Sequence, residues 1–257
     1  MPSSAVAQGA LALVAFLAGM IDAIAGGGGL LTVPALLVVT GNPRLTLGTN
    51  KGQSVFGSFA ALVSFHRAGR IARRRVVPTF VSALLGSLLG VQLVLALRPE
   101  LLRPVVLALL VGVAGFFAAR GRRGAGAAPK AWPVAERHPA AVAAAIGLTM
   151  GVYDGFFGPG VGTFLIALFV AIFGDELTSA TANAKVANFA SNLGSVVTFA
   201  AAGQIDLRLA LPMAAAQALG GMVGARAAIR GGERLIRAGV LCVTVALVVR
   251  IGWQMGH

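Results

Sequence analysis

The 257-residue chain contains three lysines, and two of them, Lys51 and Lys185, lie inside apolar segments 134 residues apart. An ammonium group at membrane depth costs roughly 2.5–3.5 kcal/mol on insertion scales, so each needs a partner or a wet cavity. The chemistry such a group supplies is capture of an anion. Ser54 and Ser58 follow Lys51 by three and seven residues, and Asn188 and Asn192 follow Lys185 at the same spacing. That spacing puts them on the lysine's own helix face. Thr49, Asn50, Thr181 and Asn183 flank the two lysines and, with Asn188 and Asn192, are the candidate contacts for the charge and hydrogen-bonding groups of a bound anion. Two carboxylates, Asp22 and Asp154, stand 132 residues apart in the same kind of surroundings. Each either pins helices together by pairing with a lysine or gives up that lysine to a substrate anion, binding or releasing H⁺ or coordinating Na⁺ as it does so.

The carboxylates belong to two related stretches, GMIDAIAGGGG from Gly19 and GVYDGFFGPGVG from Gly151. Aligning Gly19 with Gly151 also aligns Asp22 with Asp154, Gly26 with Gly158 and Gly28 with Gly160. Gly26, Gly27, Gly28 and Gly29, and the Gly158–Pro159–Gly160 run, let the backbone unwind within an apolar segment. Irregular backbone at that depth is tolerated only where it lines a cavity or is buried in protein. The short helix after each break starts with unsatisfied N–H groups and the positive end of its dipole, which suits a tetrahedral oxyanion. Broken helices at matching places in two halves point to a transporter binding site. GPGVG shares its glycine spacing with dinucleotide-binding loops, but no strand precedes it and no ribose-binding acid follows, so that reading is rejected. Gly86 with Gly90, and Gly220 with Gly224, read instead as close helix packing.

The elements that must position these residues are membrane helices. The chain is 57% hydrophobic and 11% charged, with a mean hydropathy of +0.86, too apolar for a soluble domain of this length. The expected fold is all-α, a polytopic integral membrane protein. Helical segments are predicted at about 5–25, 30–40, 46–66, 76–97 and 104–119, then at 139–157, 161–173, 178–201, 209–229 and 236–252. The runs lack the alternation of a membrane barrel. No basic residue precedes the first segment, which reads as a retained helix rather than a signal peptide. The lone Cys242 excludes a disulfide framework and reads as a small core residue.

The net charge of +13 is sorted by loop. Arg67, Arg70, Arg73, Arg74 and Arg75 fill one; Arg120, Arg122, Arg123, Lys130 and Arg137 a second; Arg226, Arg230, Arg234 and Arg237 a third. By the positive-inside rule these three face the cytoplasm, and a collar against phospholipid rather than nucleic acid explains the charge. The arginine-rich loop ending at Arg75 and the nearly neutral GQIDLR near Asp206 occupy equivalent places yet belong on opposite sides, so the halves are read as inverted. Their equivalence rests on nine identities in 26 positions between 65–90 and 199–224, Pro78 with Pro212 and Gly90 with Gly224 among them. The expected organisation is two repeats, 1–130 and 131–257, of about five helical segments each, with the glycine-broken or re-entrant helices at the centre. If the segment after each break is re-entrant, each repeat has three full crossings and a hairpin.

Catalysis finds little support. His66, His138 and His257 lie at loops or the terminus, no carboxylate–histidine cluster has metal-ligand spacing, and no GxxxxGK[ST] loop for ATP is present. No cofactor or metal is expected.

Taken in combination, GMIDAIAGGGGLLTVPALL, GTNKGQS, GVYDGFFGPGVGTFL and TANAKVANFASN make the chain resemble, over nearly its full length, the sulfite exporter TauE/SafE family of membrane permeases. The resemblance implies transport of a small sulfur-containing anion, such as sulfite or an organosulfonate, across the bacterial cytoplasmic (inner) membrane. The expected function is therefore a multi-pass secondary transporter, not an enzyme, working by alternating access. Its partners would be the small anionic substrate, the lipid bilayer and a coupling H⁺ or Na⁺. The alternative is a passive anion channel or facilitator using the same positive cavity.

Overall fold

The computed structural model describes residues 5–98, 100–102, 104–106, 108–109, 112 and 130–255. Helices α1 (Ala5–Ala25), α2 (Gly29–Thr40), α3 (Pro43–Arg67) and α4 (Arg73–Ala96) form the first half. The second contains α5 (Pro133–Arg137), α6 (Pro139–Phe156), α7 (Val161–Phe173), α8 (Leu177–Ala201) and α9 (Leu207–Met255). No strand occurs among the described residues. The segment predicted at 104–119 is helical at 104–106, 108–109 and 112; the rest of it lies outside the described residues. The one-turn α5 was not foreseen. The two segments predicted at 209–229 and 236–252 form α9, interrupted at Gly232 (φ 56°, ψ −151°), inside the predicted gap. Cys242 lies in that second limb, where side chains are outside the described residues.

Local chemistry sets several of the ends. The Asn42 side chain accepts from the amides of Arg44 (3.0 Å) and Leu45 (3.3 Å), and Pro43 follows it, so α3 starts with a polar cap and a preset φ. Asp206 caps α9 in the same way, accepting from Arg208 at 2.9 Å. Gly41 and Gly174 stop α2 and α7 in the left-handed conformation, φ 63° and 65°.

Among the described residues three helical stretches are long and apolar enough to cross a membrane: Ala7–Ala25, Arg73–Ala96 and Pro139–Phe156. With 12 and 13 residues, α2 and α7 rise only about 18 and 20 Å, short of the ~30 Å hydrocarbon core. By length α3 and α8, with 25 residues each, could cross, but they carry the buried polar side chains. They are shielded by neighbours: α1 packs on α9, α4 on α6, and α3 and α8 touch each other while contacting α9 and α4 respectively.

Glycine makes the outer pairs tight. A Cβ on Gly220 or Gly224 would lie 2.0 Å from the Phe16 carbonyl oxygen or 2.4 Å from that of Met20. One on Gly86 or Gly90 would meet the carbonyls of Leu148 and Val152 at 2.4 and 2.2 Å. Backbone therefore lies directly against backbone in both pairs, as the small-residue spacing predicted.

Gly224→Leu should force α1 and α9 apart and destabilise the protein by ~1–3 kcal/mol or more. Gly9→Ala, where an added Cβ meets nothing within 4 Å inside α1, should leave stability the same or raise it by up to about 1 kcal/mol. Thermal unfolding in detergent checks the pair; equal melting of both variants would refute this packing.

Candidate functional site

The two glycine breaks meet at the centre. Gly26 has φ 80°, and a Cβ there would fall 2.2 Å from the carbonyl carbon of Gly162, so the second break fits against the first only because that position is glycine. Thr163 Oγ1 donates to the Ala25 carbonyl at 2.6 Å across the contact. Within the second break, the Tyr153 hydroxyl donates to the Pro159 carbonyl at 2.8 Å. Gly158 and Gly160 are both left-handed, φ 95° and 85°, whereas Gly28, aligned with Gly160, is helical at φ −56°.

Both buried lysines are paired, each with the carboxylate of the other half. Lys51 Nζ donates to Asp154 Oδ1 at 2.5 Å and to Asn192 Oδ1 at 3.2 Å, while the Ser191 hydroxyl donates to Asp154 Oδ2. Lys185 Nζ donates to Asp22 Oδ2 at 2.8 Å and to the Asp22 carbonyl at 2.5 Å. The Lys51–Asp154 side chains are 3% exposed on both sides, whereas Lys185 is sealed at 0% and Asp22 is 19% exposed. Four formal charges cancel, and the low-dielectric surroundings strengthen each attraction.

Around the meeting point lies a cavity of about 30 Å³, enough for a water or two. Asp22, Gly26, Gly29, Asn50, Lys51, Asp154, Gly158, Gly160, Asn188 and Asn192 all line it, together with Ser54, Val161 and Gln217. The amides of Gly29 and Gly160 take part in no backbone hydrogen bond. Asn50 is held by Thr32 Oγ1 (2.6 Å) and Gln53 Nε2 (3.1 Å), both donating to its Oδ1. Asn188 Oδ1 and Gln217 Oε1 are buried and have no hydrogen-bond partner. The cavity therefore joins a cation, two helix N-termini and two amide side chains, whose NH2 groups can donate to a guest and whose unpaired oxygens can accept from one.

The remaining candidates stand outside this lining. Gly27 and Gly28 open α2, their carbonyls accepting from Leu30 (3.1 Å) and Leu31 (3.0 Å). Lys185 reaches the cavity only through Asp22. Thr181 donates to the Leu177 carbonyl at 2.7 Å, a turn nearer the helix end. Thr49 and Asn183 each precede their lysine by two residues, about 200° round the helix, and so face away from the stripe. Thr49 Oγ1 accepts from the Asp206 amide at 2.9 Å, and Asn183 Oδ1 accepts from the Ala72 amide at 3.0 Å. Both bonds obey the 134-residue offset, so they are counterparts. The Asn183 bond belongs to a larger cluster in which Arg75 donates to both Asp175 oxygens (2.8 and 2.9 Å), Asn183 Nδ2 donates to Asp175 Oδ2 at 2.9 Å, and the Phe173 ring lies 4.2 Å from the guanidinium.

Sequence reasoning missed Gln217, Ser191 and Thr163 as parts of the centre. Gln217 had a signal: it is a lone amide in the apolar run LALPMAAAQALGGMVG, and such a residue needs a polar neighbour. Ser191 and Thr163 had none, since helix hydroxyls usually bond their own preceding turn. Among the described residues no group of three or more His, Cys, Asp or Glu side chains is placed to hold a metal ion.

The family model for "Sulfite exporter TauE/SafE" matches residues 11–251. The chain is 35% identical over 245 residues to a "probable membrane transporter protein ORF9" of Sinorhizobium sp, covering 94% of this chain and 90% of that protein. It is 34% identical over 247 residues to the "probable membrane transporter protein YfcA" of Escherichia coli K12, covering 95% and 88%. A "probable membrane transporter protein" of Haemophilus influenzae is 33% identical over 247 residues, covering 95% and 93%. No solved structure matches.

Lys51→Met should strand Asp154 in the interior and cost about 3–5 kcal/mol. Adding Asp154→Asn should recover much of that loss, because no uncompensated charge remains. A thermal-unfolding double-mutant cycle measures this coupling, and strictly additive losses would show that the pair is not formed.

Proposed function

The chain belongs to the sulfite exporter TauE/SafE family, and on that premise we propose that this membrane transporter is a secondary carrier of a small sulfur-containing anion, such as sulfite or an organosulfonate. The observation that carries the reading is the meeting of both glycine breaks around Lys51 in one small cavity. The anionic head would sit between the breaks, against the Lys51 ammonium and the free amides at the starts of α2 and α7. Asn188, Asn192 and Gln217 would supply the remaining hydrogen bonds. An anion at Lys51 competes with Asp154 for the same cation. Asp154 must then turn away, take up H⁺ or accept Na⁺, which is how this site would couple substrate to an ion gradient.

Alternating access of two inverted halves, 1–130 and 131–257, in the bacterial cytoplasmic membrane follows from the same reading. Three observations support it. The C-terminal turn of α1 packs with Phe65, Ile71 and Ala228 beside the arginine-rich α3–α4 loop, whereas that of α6 packs with Val94 and Leu97 at the far end of α4, so equivalent helices run in opposite directions. The Lys51 and Asp154 side chains at the cavity are only 3% exposed and paired with each other, so an anion reaches them only if the packing around them opens, which favours a carrier over an open channel. Finally, the bonds from Thr49 to Asp206 and from Asn183 to Ala72 close opposite ends and each joins one half to the other. Breaking one while keeping the other would open the cavity to a single side. In this reading Thr49 and Asn183 act as latches, and Thr181 as a helix-end residue, rather than as contacts to the substrate.

Ligand-induced thermal stabilisation tests the substrate. At 100 times its Kd a ligand adds about 2.7 kcal/mol. Sulfite, thiosulfate or sulfoacetate should stabilise the protein more than sulfate or small carboxylates, and Lys51→Met should remove the effect. Stabilisation that persists in Lys51→Met would take the anion away from this cavity. The latch assignment is checked by thiol labelling of Ser54→Cys in a Cys242→Ala background. Adding Asn183→Ala should speed labelling from the side of the arginine-rich loop, and Thr49→Val from the opposite side; labelling that rises equally from both sides in either variant would refute it.

A further inference from the structure

A second cavity of about 610 Å³, sharing no lining residue with the central one, lies between α3, α4 and α8. Its walls are apolar: Leu62 and Val63 from α3, Val76, Val77 and Phe80 from α4, and Val186 from α8. One end carries a cation, since Arg73 stands one helical turn before Val77 at the α3–α4 loop, and beside it His66, one turn beyond Leu62, offers a ring N–H. The groove is therefore apolar along its depth and cationic at one end only.

The charge at that end is largely uncompensated. Arg75 is held by Asp175 and Arg70 approaches Glu176 at 4.0 Å, but Arg67, Arg73 and Arg74 have no carboxylate partner among the described residues. All three are exposed. The seven-residue depth from Arg73 to Phe80 corresponds to roughly 10 Å of helix rise, matching the upper methylenes of an acyl chain below its phosphate.

We propose that this groove is a binding site for an anionic phospholipid, one acyl chain lying along Leu62, Val77 and Phe80 and the phosphate at Arg73 and His66. Charge complementarity selects the occupant: a zwitterionic lipid brings its own cation to the basic mouth, and a soluble phosphate leaves the apolar walls uncovered. The proposal does not rest on the substrate assigned to the central cavity.

Thermal unfolding of the full chain in nanodiscs of phosphatidylglycerol or phosphatidylcholine tests it. Phosphatidylglycerol should raise Tm by about 2–4 °C over phosphatidylcholine, and inorganic phosphate or glycerol phosphate added to detergent-solubilised protein should not reproduce the shift. Arg73→Gln with His66→Gln should erase the difference while Arg67→Gln with Arg74→Gln retains most of it, and Leu62→Trp, which fills the groove, should erase it with every arginine in place. If Leu62→Trp does not fold, native mass spectrometry of the wild-type chain and of Arg73→Gln decides, the former retaining phosphatidylglycerol preferentially and the latter not. Equal stabilisation by both lipids, an equal effect of free phosphate, or equal losses from the two double variants would overturn the site, the last by reducing it to surface charge attraction.

Discussion

Everything at the centre of this molecule depends on two ion pairs formed where water is scarce, Lys51 with Asp154 and Lys185 with Asp22. Neither charge of either pair is tolerable alone at that depth. Because each pair takes its lysine from one half and its carboxylate from the other, the charges also define how the halves must dock. The glycine breaks follow from this requirement. They put Asp22 and Asp154 at the ends of α1 and α6 and remove the side chains that would keep the halves apart.

The surrounding helices can be understood as insulation for that centre. The stripes of α3 and α8 are too polar to meet lipid, so α1 with α9 and α4 with α6 wrap them, and the close approach of these outer pairs rests on Gly86, Gly90, Gly220 and Gly224. A hydrophobic driving force between helices is absent in lipid, which makes backbone contact of this kind a principal source of cohesion. The outer faces are left apolar, with Val38, Val77 and Leu13 among the exposed side chains. These face the solvent for which such a surface is fitted, hydrocarbon.

Much of this was legible in the residues themselves. Hydropathy gave the helices, the glycine runs gave the breaks, and two lysines in apolar segments, matched by two aspartates, gave the charges. What the sequence left open was which carboxylate meets which lysine, because pairing is a property of docking rather than of either segment. Helical period would have set Thr49 and Asn183 off the lysine stripe, since two residues is about 200° of rotation; proximity in sequence to the lysine outweighed it. Gln217 was overlooked because its counterpart at the 134-residue offset is Ala83, so the internal repeat, which found the other polar positions, was silent there.

That silence marks where the two halves stop being equivalent, and the departures converge on one side of the cavity. Lys51 lines it while Lys185 is shut behind Asp22; Asp154 is fixed by a serine as well as a lysine, while Asp22 is partly open; Gly160 is left-handed where Gly28 is helical. A cavity with true twofold equivalence would offer a bound anion two identical cations and hold it astride the axis. In the proposed reading only Lys51 faces the guest, so the anion would be drawn off-axis toward the first half's lysine, displacing the second half's carboxylate from it. In that reading the repeated scaffold would supply the opposed motion, and the asymmetric lining the site.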